Sequence, residues 1–390
     1  QAMKYFIICG EASGDLHGSN LMRGLYQEDP AADIRFWGGD MMNEVYKEHQ
    51  DGVGLVQDYK DGAIIGFIQV ALKARSYFEK FKRCFADILS WNPDVVILID
   101  YPGFNFRVAE WAHNKGFKVY YYIAPKVWAS REGRIKKLKA FVDKLFIVFP
   151  FEIPYFTKKG IDFIYKGNPL IDAIDNSVAL KESREEFLRR NSLPDSPVIA
   201  LMAGSRTGEI SSMMPVFMEF ADKMHALPEY ADYQFIVAAA PSRSMSDYSK
   251  YVAGREAYVK VVFGQSYAVL LHAVAAVVNS GTASLETALI GTPQVVAYKG
   301  AAINFVIAKQ IIKIRFISLG NLILNRTCFR ELLQFYFTPD NVLQEVLRMI
   351  EDTEYRENML AGYQEIRNAL GGRGASAAVA KAMIEELRKR

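Results

Sequence analysis

A chain of 390 residues is long enough for two domains, and its 51% hydrophobic and 23% charged residues fit a globular protein and exclude a disordered one. The formal net charge of +3 is too small to indicate nucleic-acid binding, and three scattered cysteines, Cys9, Cys84 and Cys328, indicate neither a disulfide framework nor a zinc site. No apolar run reaches membrane-spanning length, and the opening segment 4–10 is too short for a signal peptide, so a cytoplasmic protein without a transmembrane anchor is expected.

Short apolar runs alternate with longer amphipathic ones, the pattern of βαβ units around parallel sheets. In the first half, strands are expected at 5–9, 34–37, 95–99, 118–123 and 144–148, with helices at 16–27, 68–90 and 106–115. The pattern then restarts. A second set of strands is expected at 198–202, 234–238, 259–262, 276–279 and 294–297, with helices at 213–226, 267–273 and 283–290. Gly167-Asn168-Pro169 punctuates the chain between the sets and suggests a hinge near 167–180. Three further helices are expected at 341–351, 355–370 and 375–389. The expected fold is therefore α/β, with two doubly wound Rossmann-like domains facing a central cleft. The expected divisions are 3–170, 171–350 and a C-terminal helical segment, 351–390, that crosses back to the first domain.

Ligands of such sheets bind at the carboxyl ends of strands, so the segments after the strands are read for chemistry. Gly10-Glu11-Ala12-Ser13-Gly14-Asp15-Leu16-His17-Gly18 follows the first strand. Its glycines suit a tight turn and a close ligand approach, and it places Glu11, Asp15 and His17 together; Asp15 as a helix cap is the alternative. The spacing is not that of a dinucleotide fold. Asp100 ends the most apolar strand, Val95-Val96-Ile97-Leu98-Ile99. Partial desolvation there suits a general base.

In the second half, Gly204-Ser205-Arg206 combines a flexible turn with a guanidinium beside a helix start, a combination suited to a diphosphate. Ser280-Gly281-Thr282 turns into another helix, and Glu286 lies one turn inside it, where a carboxylate can accept both hydroxyls of a ribose. The five histidines are scattered, and no Walker A sequence, nucleophile elbow or metal-holding Asp-x-Asp is present, so no metal and no cofactor are expected.

Residues 63–74 are apolar on nearly all sides, including Ile64, Ile65, Phe67 and Ile68. Residues 126–139 carry six basic side chains against Glu132, among them Arg131, Arg134, Lys136 and Lys137, with Trp128 interleaved. Together they suit an anionic lipid surface, with a buried segment and a solvated helix face as the plainer alternative.

The glycine-rich opening, Ile99-Asp100-Tyr101-Pro102-Gly103-Phe104-Asn105, Ala124-Pro125-Lys126-Val127-Trp128-Ala129, Gly204-Ser205-Arg206 and Ser280-Gly281-Thr282-Ala283 together resemble the lipid-A-disaccharide synthases. The likeness runs in order from about Tyr5 to Glu331-Leu332-Leu333-Gln334. It implies a metal-independent, inverting glycosyltransferase of the two-Rossmann-domain (GT-B) type. The reaction implied joins UDP-2,3-diacylglucosamine to 2,3-diacylglucosamine 1-phosphate (lipid X) and yields a β-1,6-linked disaccharide and UDP in lipid A biosynthesis. By the same resemblance, Asp100 stands at an essential position; the chemistry of inversion makes it the expected base, with Glu11 or Asp15 as the alternative. Arg206 binds the donor, Glu286 holds ribose, and Asn321 belongs to the donor site. The implied setting is the cytoplasmic face of the inner membrane, held peripherally, with a homodimer left open. Ala203 and Gly320 stand where the family usually has proline. The rival readings are a UDP-sugar 2-epimerase of the same architecture and a non-catalytic sugar-binding protein.

Overall fold

Apolar runs of four to six residues become buried strands, and the amphipathic stretches between them become the helices that cover both sheet faces. The computed structural model describes residues 2–62, 69–124, 133–299 and 316–389. The chain forms two units, Gln1–Ala173 with Gly372–Arg390, and Ile174–Gly371.

The first unit holds β1 (Lys4–Ile8), β2 (Asp33–Gly38), β3 (Leu55–Asp58), β4 (Val95–Ile99), β5 (Val119–Tyr122), β6 (Lys144–Ile147) and β7 (Phe163–Tyr165). They form a parallel sheet in the order β3-β2-β1-β4-β5-β6-β7. Successive side chains alternate between faces. Tyr5, Ile7, Val95, Ile97, Tyr120 and Tyr122 therefore enter one core, and Phe6, Ile8, Val96, Leu98, Val119 and Tyr121 the other. Each large side chain so buried contributes about 1.5–3 kcal/mol.

The second unit holds β8 (Val198–Met202), β9 (Gln234–Ala239), β10 (Val259–Phe263), β11 (Ala275–Asn279), β12 (Gln294–Tyr298) and β13 (Glu331–Leu333). This sheet is also parallel, in the order β10-β9-β8-β11-β12-β13. Two parallel, doubly wound sheets bear out the expected fold class. Among the described residues, no helix is long and apolar enough to cross a membrane.

The C-terminal segment divides differently from the expected 351–390. The helix Thr353–Leu370 stays in the second unit, where Ile366 is fully buried and the Tyr363 hydroxyl donates to Thr292 O at 2.8 Å. Gly371 (φ 86°) and Gly374 (φ 94°) then turn the chain, and the helix Ala375–Arg388 packs along the helix Ala12–Glu28 of the first unit. Val379, Ala380, Met383 and Ile384 thereby join the core formed by Leu21, Met22 and Leu25. Asp172 fastens this return by accepting hydrogen bonds from Gly374 N at 2.7 Å and Ser376 N at 3.1 Å. The outward crossing falls between Ala173 and Ile174, inside the hinge expected near 167–180.

The helices Ala12–Glu28 and Ala375–Arg388 approach closely because residue 24 has no side chain. A Cβ there would stand 2.8 Å from Ala380 Cβ and 3.2 Å from Ala377 Cα. Gly24→Leu should push the last helix away and cost about 1–3 kcal/mol, read as a lower urea midpoint. An unchanged midpoint would show that the contact carries no stability.

Candidate functional site

In each sheet the strand order reverses once, between β1 and β4 and between β8 and β11. Open α/β sheets bind ligands outside the carboxyl ends of the strands at such a point. The four motifs read from the sequence follow these four strands: Gly10–Gly18 after β1, Asp100 after β4, Gly204-Ser205-Arg206 after β8 and Ser280-Gly281-Thr282 after β11.

At the first switch point, Asp100 (φ 45°) and Tyr101 (φ 50°) both adopt the left-handed conformation. The ladder continues as far as Asp100 N, which donates to Tyr122 O at 3.1 Å. The Asp100 carbonyl then leaves the ladder and accepts the Tyr121 hydroxyl at 2.6 Å and Asn105 Nδ2 at 2.8 Å. The Tyr101 ring lies on Gly10, where a Cβ would stand 2.4 Å from Tyr101 Cε1.

The glycine-rich segment is mostly helix, because Ala12–Glu28 begins inside it. Its glycines serve packing: a Cβ on Gly14 would meet Cys9 Cβ at 2.7 Å, and one on Gly18 would meet Met42 Sδ at 2.7 Å. Asp15 is buried, and its carboxylate accepts hydrogen bonds from Gly39 N at 2.9 Å and from Met41 N and Met42 N at 3.1 Å. It thus caps the helix Asp40–His49 rather than its own. Burial raises its pKa while these three bonds oppose the rise. A carboxylate engaged in this way holds the turn after β2. Glu11 is exposed, immediately before the helix, and its charge adds to the burial that raises the Tyr101 hydroxyl. His17 is buried, and desolvation lowers its imidazole to about 4, so it is neutral at pH 7.

At the second switch point, Gly204 (φ 96°) makes the turn that β8 needs. A Cβ there would also collide with the Glu209 carboxylate at 2.8 Å. Glu209 accepts Arg206 N at 3.1 Å and Asn279 Nδ2 at 2.9 Å, while Asn279 Nδ2 also donates to Ala203 O at 2.8 Å. Asn279 and Glu209 therefore tie the loop after β8 to the end of β11. Arg243, from the loop after β9, donates to Ser205 O at 2.6 Å and steadies the same turn. Ser205 and Arg206 are exposed. Gly281 (φ 151°) precedes the helix Thr282–Ile290, and a Cβ on it would meet no described atom within 4 Å. Burial pushes the Glu286 carboxyl from the ordinary 4.5 up to about 7, with the nearby Tyr267 hydroxyl opposing the rise.

Asn321, expected at the donor, has a side chain that serves its own loop. It is fully buried: its Nδ2 donates to Phe329 O at 2.9 Å and to the Glu331 carboxylate at 3.1 Å, and its Oδ1 accepts Cys328 N at 2.7 Å. An amide saturated by its own loop shapes that loop and has no group left for a ligand. Gly320 is needed beside it, because a Cβ would stand 2.9 Å from Phe329 Cζ.

A family model described as "Lipid-A-disaccharide synthetase" matches residues 5–383. The chain belongs to the lipid-A-disaccharide synthase family. Among curated family members, those of Geobacter metallireducens and Myxococcus xanthus are 35% and 33% identical, covering 99% and 98% of this chain and 98% and 97% of their own. Membership in this synthase family makes the chain a glycosyltransferase. Solved structures share the fold at lower identity. A UDP co-structure of MnaA from S. aureus has a TM-score of 0.69 at 12% identity over 99% of this chain and 97% of that one. A putative UDP-N-acetylglucosamine 2-epimerase from Listeria monocytogenes has a TM-score of 0.66 at 14% identity over 100% and 98%. The epimerase reading thus has fold likeness alone, whereas the synthases match in sequence along nearly the whole chain.

Of the expected lipid-facing residues, Lys136 and Lys137 are exposed on the helix Arg134–Phe141, and the Arg134 guanidinium lies 5.5 Å over the Phe106 ring. Ile64, Ile65, Phe67, Ile68, Trp128 and Arg131 lie outside the described residues. The sequence reading assigned no role to Asn105, Tyr121, Glu209, Arg243 or Tyr267. Only Glu209 carried a local signal, its spacing of three from Arg206, and that signal was weak because arginine is no usual N-cap.

The raised Glu286 carboxyl has a consequence for stability. Its folded value of about 7 exceeds the ordinary 4.5, so the folded chain binds the extra proton and loses stability as pH rises between the two. Glu286→Gln lacks this proton. Relative to that variant, the wild type should weaken steadily from pH 4.5 to about 7 and run parallel above it, as measured by urea midpoints. A constant difference between pH 5 and 8 would contradict the burial of this group.

Proposed function

We propose that the chain transfers 2,3-diacylglucosamine from UDP-2,3-diacylglucosamine to the 6-hydroxyl of 2,3-diacylglucosamine 1-phosphate, with inversion. The products are the β-1,6-linked disaccharide 1-phosphate and UDP. The observation that carries this reading is the coincidence of four family motifs with the four strands that flank the two switch points.

Asp100 is the general base in this proposal. Its carboxylate takes the proton of the acceptor 6-hydroxyl as that oxygen forms its bond to the donor's anomeric carbon. The bond from that carbon to the diphosphate oxygen breaks on the opposite face, and the electron pair leaves with UDP. Arg206 and the backbone N–H groups at Ser280–Thr282 receive the charge that develops on the diphosphate. Gly204 and Ser205 set the turn that presents Arg206, and Glu286 accepts the ribose hydroxyls. Asp15 acts as a positioning residue, since its three backbone donors hold the turn after β2 against the helix that follows β1. Glu11 remains the alternative base, exposed beside Tyr101. The exposed Lys136 and Lys137 support a peripheral attachment to the anionic cytoplasmic face of the inner membrane.

Incubation with both acylated sugars should yield UDP and the disaccharide by mass spectrometry, while UDP-N-acetylglucosamine alone should remain unchanged. Asp100→Asn should lower turnover by about 10^2–10^4-fold with UDP still bound, as measured by calorimetry. Near-normal UDP release by that variant would remove Asp100 from the role. Arg206→Ala should lower kcat/KM by about 10^2-fold or more, and an unchanged value would exclude its part in stabilising the leaving group.

A further inference from the structure

We propose that Asn105 and Tyr121 are positioning residues that aim the Asp100 carboxylate by holding its backbone carbonyl in a left-handed turn. The inference rests on the reading of Asp100 as the base and extends it to two side chains that touch no reacting atom.

The argument starts from a cost. A left-handed conformation at a residue with a Cβ costs on the order of 1–2 kcal/mol, and here Asp100 and Tyr101 adopt it in succession. Glycine would make the same turn without that cost. Such strain persists only where the surroundings over-determine it. At Asp100 they do. Its carbonyl accepts two side-chain donors from separate elements, Asn105 Nδ2 at 2.8 Å from the helix Pro102–Asn114 and the Tyr121 hydroxyl at 2.6 Å from β5. Both donor residues are fully buried. Asp100 N, meanwhile, keeps its ladder bond to Tyr122 O at 3.1 Å. The peptides before and after Asp100 are thus both held by β5, and the main chain of the residue between them is fixed.

Asn105 does more than pair with this carbonyl. Its Nδ2 also lies 3.3 Å from Ile99 O and 3.4 Å from Ile8 O, so one amide gathers the ends of β4 and β1 at the switch point. Its Oδ1 is buried with no hydrogen-bond partner among the described residues. An unpaired buried acceptor is destabilising, and the carbonyls that the amide nitrogen pairs offset that cost. Tyr121 is held as a donor: burial, and then the charge of Asp100, keep its hydroxyl protonated. Both side chains therefore act on where residue 100 points rather than on what it contacts.

The test separates positioning from structure through kinetics. Tyr121→Phe removes one hydroxyl and leaves the ring packing intact. It should lower kcat about 10- to 100-fold, with acceptor KM and the calorimetric UDP Kd within about twofold of wild type. Unchanged kcat, or KM and Kd rising in step with the loss, would overturn the proposal. Asn105→Ser, whose hydroxyl is too short to reach Asp100 O, should give the same split. If both variants fail to fold, the residues are structural and the proposal is lost. Asp100→Asn tells the two readings apart. A fully active Asp100→Asn sinks the base itself, whereas an inactive one beside a fully active Tyr121→Phe sinks only the positioning.

Discussion

Where the strand order of a parallel sheet reverses, the two flanking strands still pair with each other, but the loops after their carboxyl ends diverge and the carbonyls there need other donors. How those carbonyls are paired shapes the turns that carry the motifs in each unit. In the first sheet, Asn105 serves Asp100 O, with Ile99 O and Ile8 O also in reach, and Tyr121 adds a second donor to Asp100 O. In the second sheet, Asn279 serves Ala203 O, and Glu209 joins it to Arg206 N. A buried asparagine at each reversal is the shared solution. Its amide is short and rigid enough to fix a loop, and it carries no charge that burial would penalise.

The acidic side chains near these turns fall into three kinds. Asp15, Asp172 and Glu209 each accept backbone N–H groups from a neighbouring turn or loop, and a carboxylate so occupied is a fixed part of the framework. Asp100 differs. The bonds that the framework makes to it hold its main chain on both sides. Glu286 differs again, because burial raises its carboxyl toward neutrality with no backbone donor opposing the rise. Residue type and spacing do not distinguish these cases. The partners do.

The same logic explains what was legible in the sequence. The ten strands expected from apolar runs are present, whereas β3, β7 and β13 were not anticipated. All three are sheet-edge strands of three or four residues, mostly half-buried, so their residues never form an apolar run. The helices Ala12–Glu28, Pro102–Asn114 and Thr207–His225 begin earlier than their apolar periodicity suggests. Their first turns are built of the glycines and polar residues that also form the motifs. Asp100 was legible because it ends five consecutive fully buried residues. The work of Asp15 was hidden because its donors lie 24 to 27 residues away, on a turn whose geometry only the folded sheet supplies.

Phe, Trp and Tyr make up 13% of the chain, and many of these rings pack in the first unit's interior. Trp37, Phe81, Phe104 and Tyr77 interlock at centroid distances of 4.4–6.2 Å, and Tyr101 joins them through Phe104 at 5.7 Å. Tyr101 is also the second left-handed residue of the turn at Asp100, and its ring rests on Gly10. The aromatic layer therefore reaches the switch point itself and stiffens it from below. A ring packed on a glycine cannot tilt without losing that contact, so the strained turn inherits the rigidity of the core. What these rings contribute is a floor stiff enough for two buried donors to hold one aspartate in place.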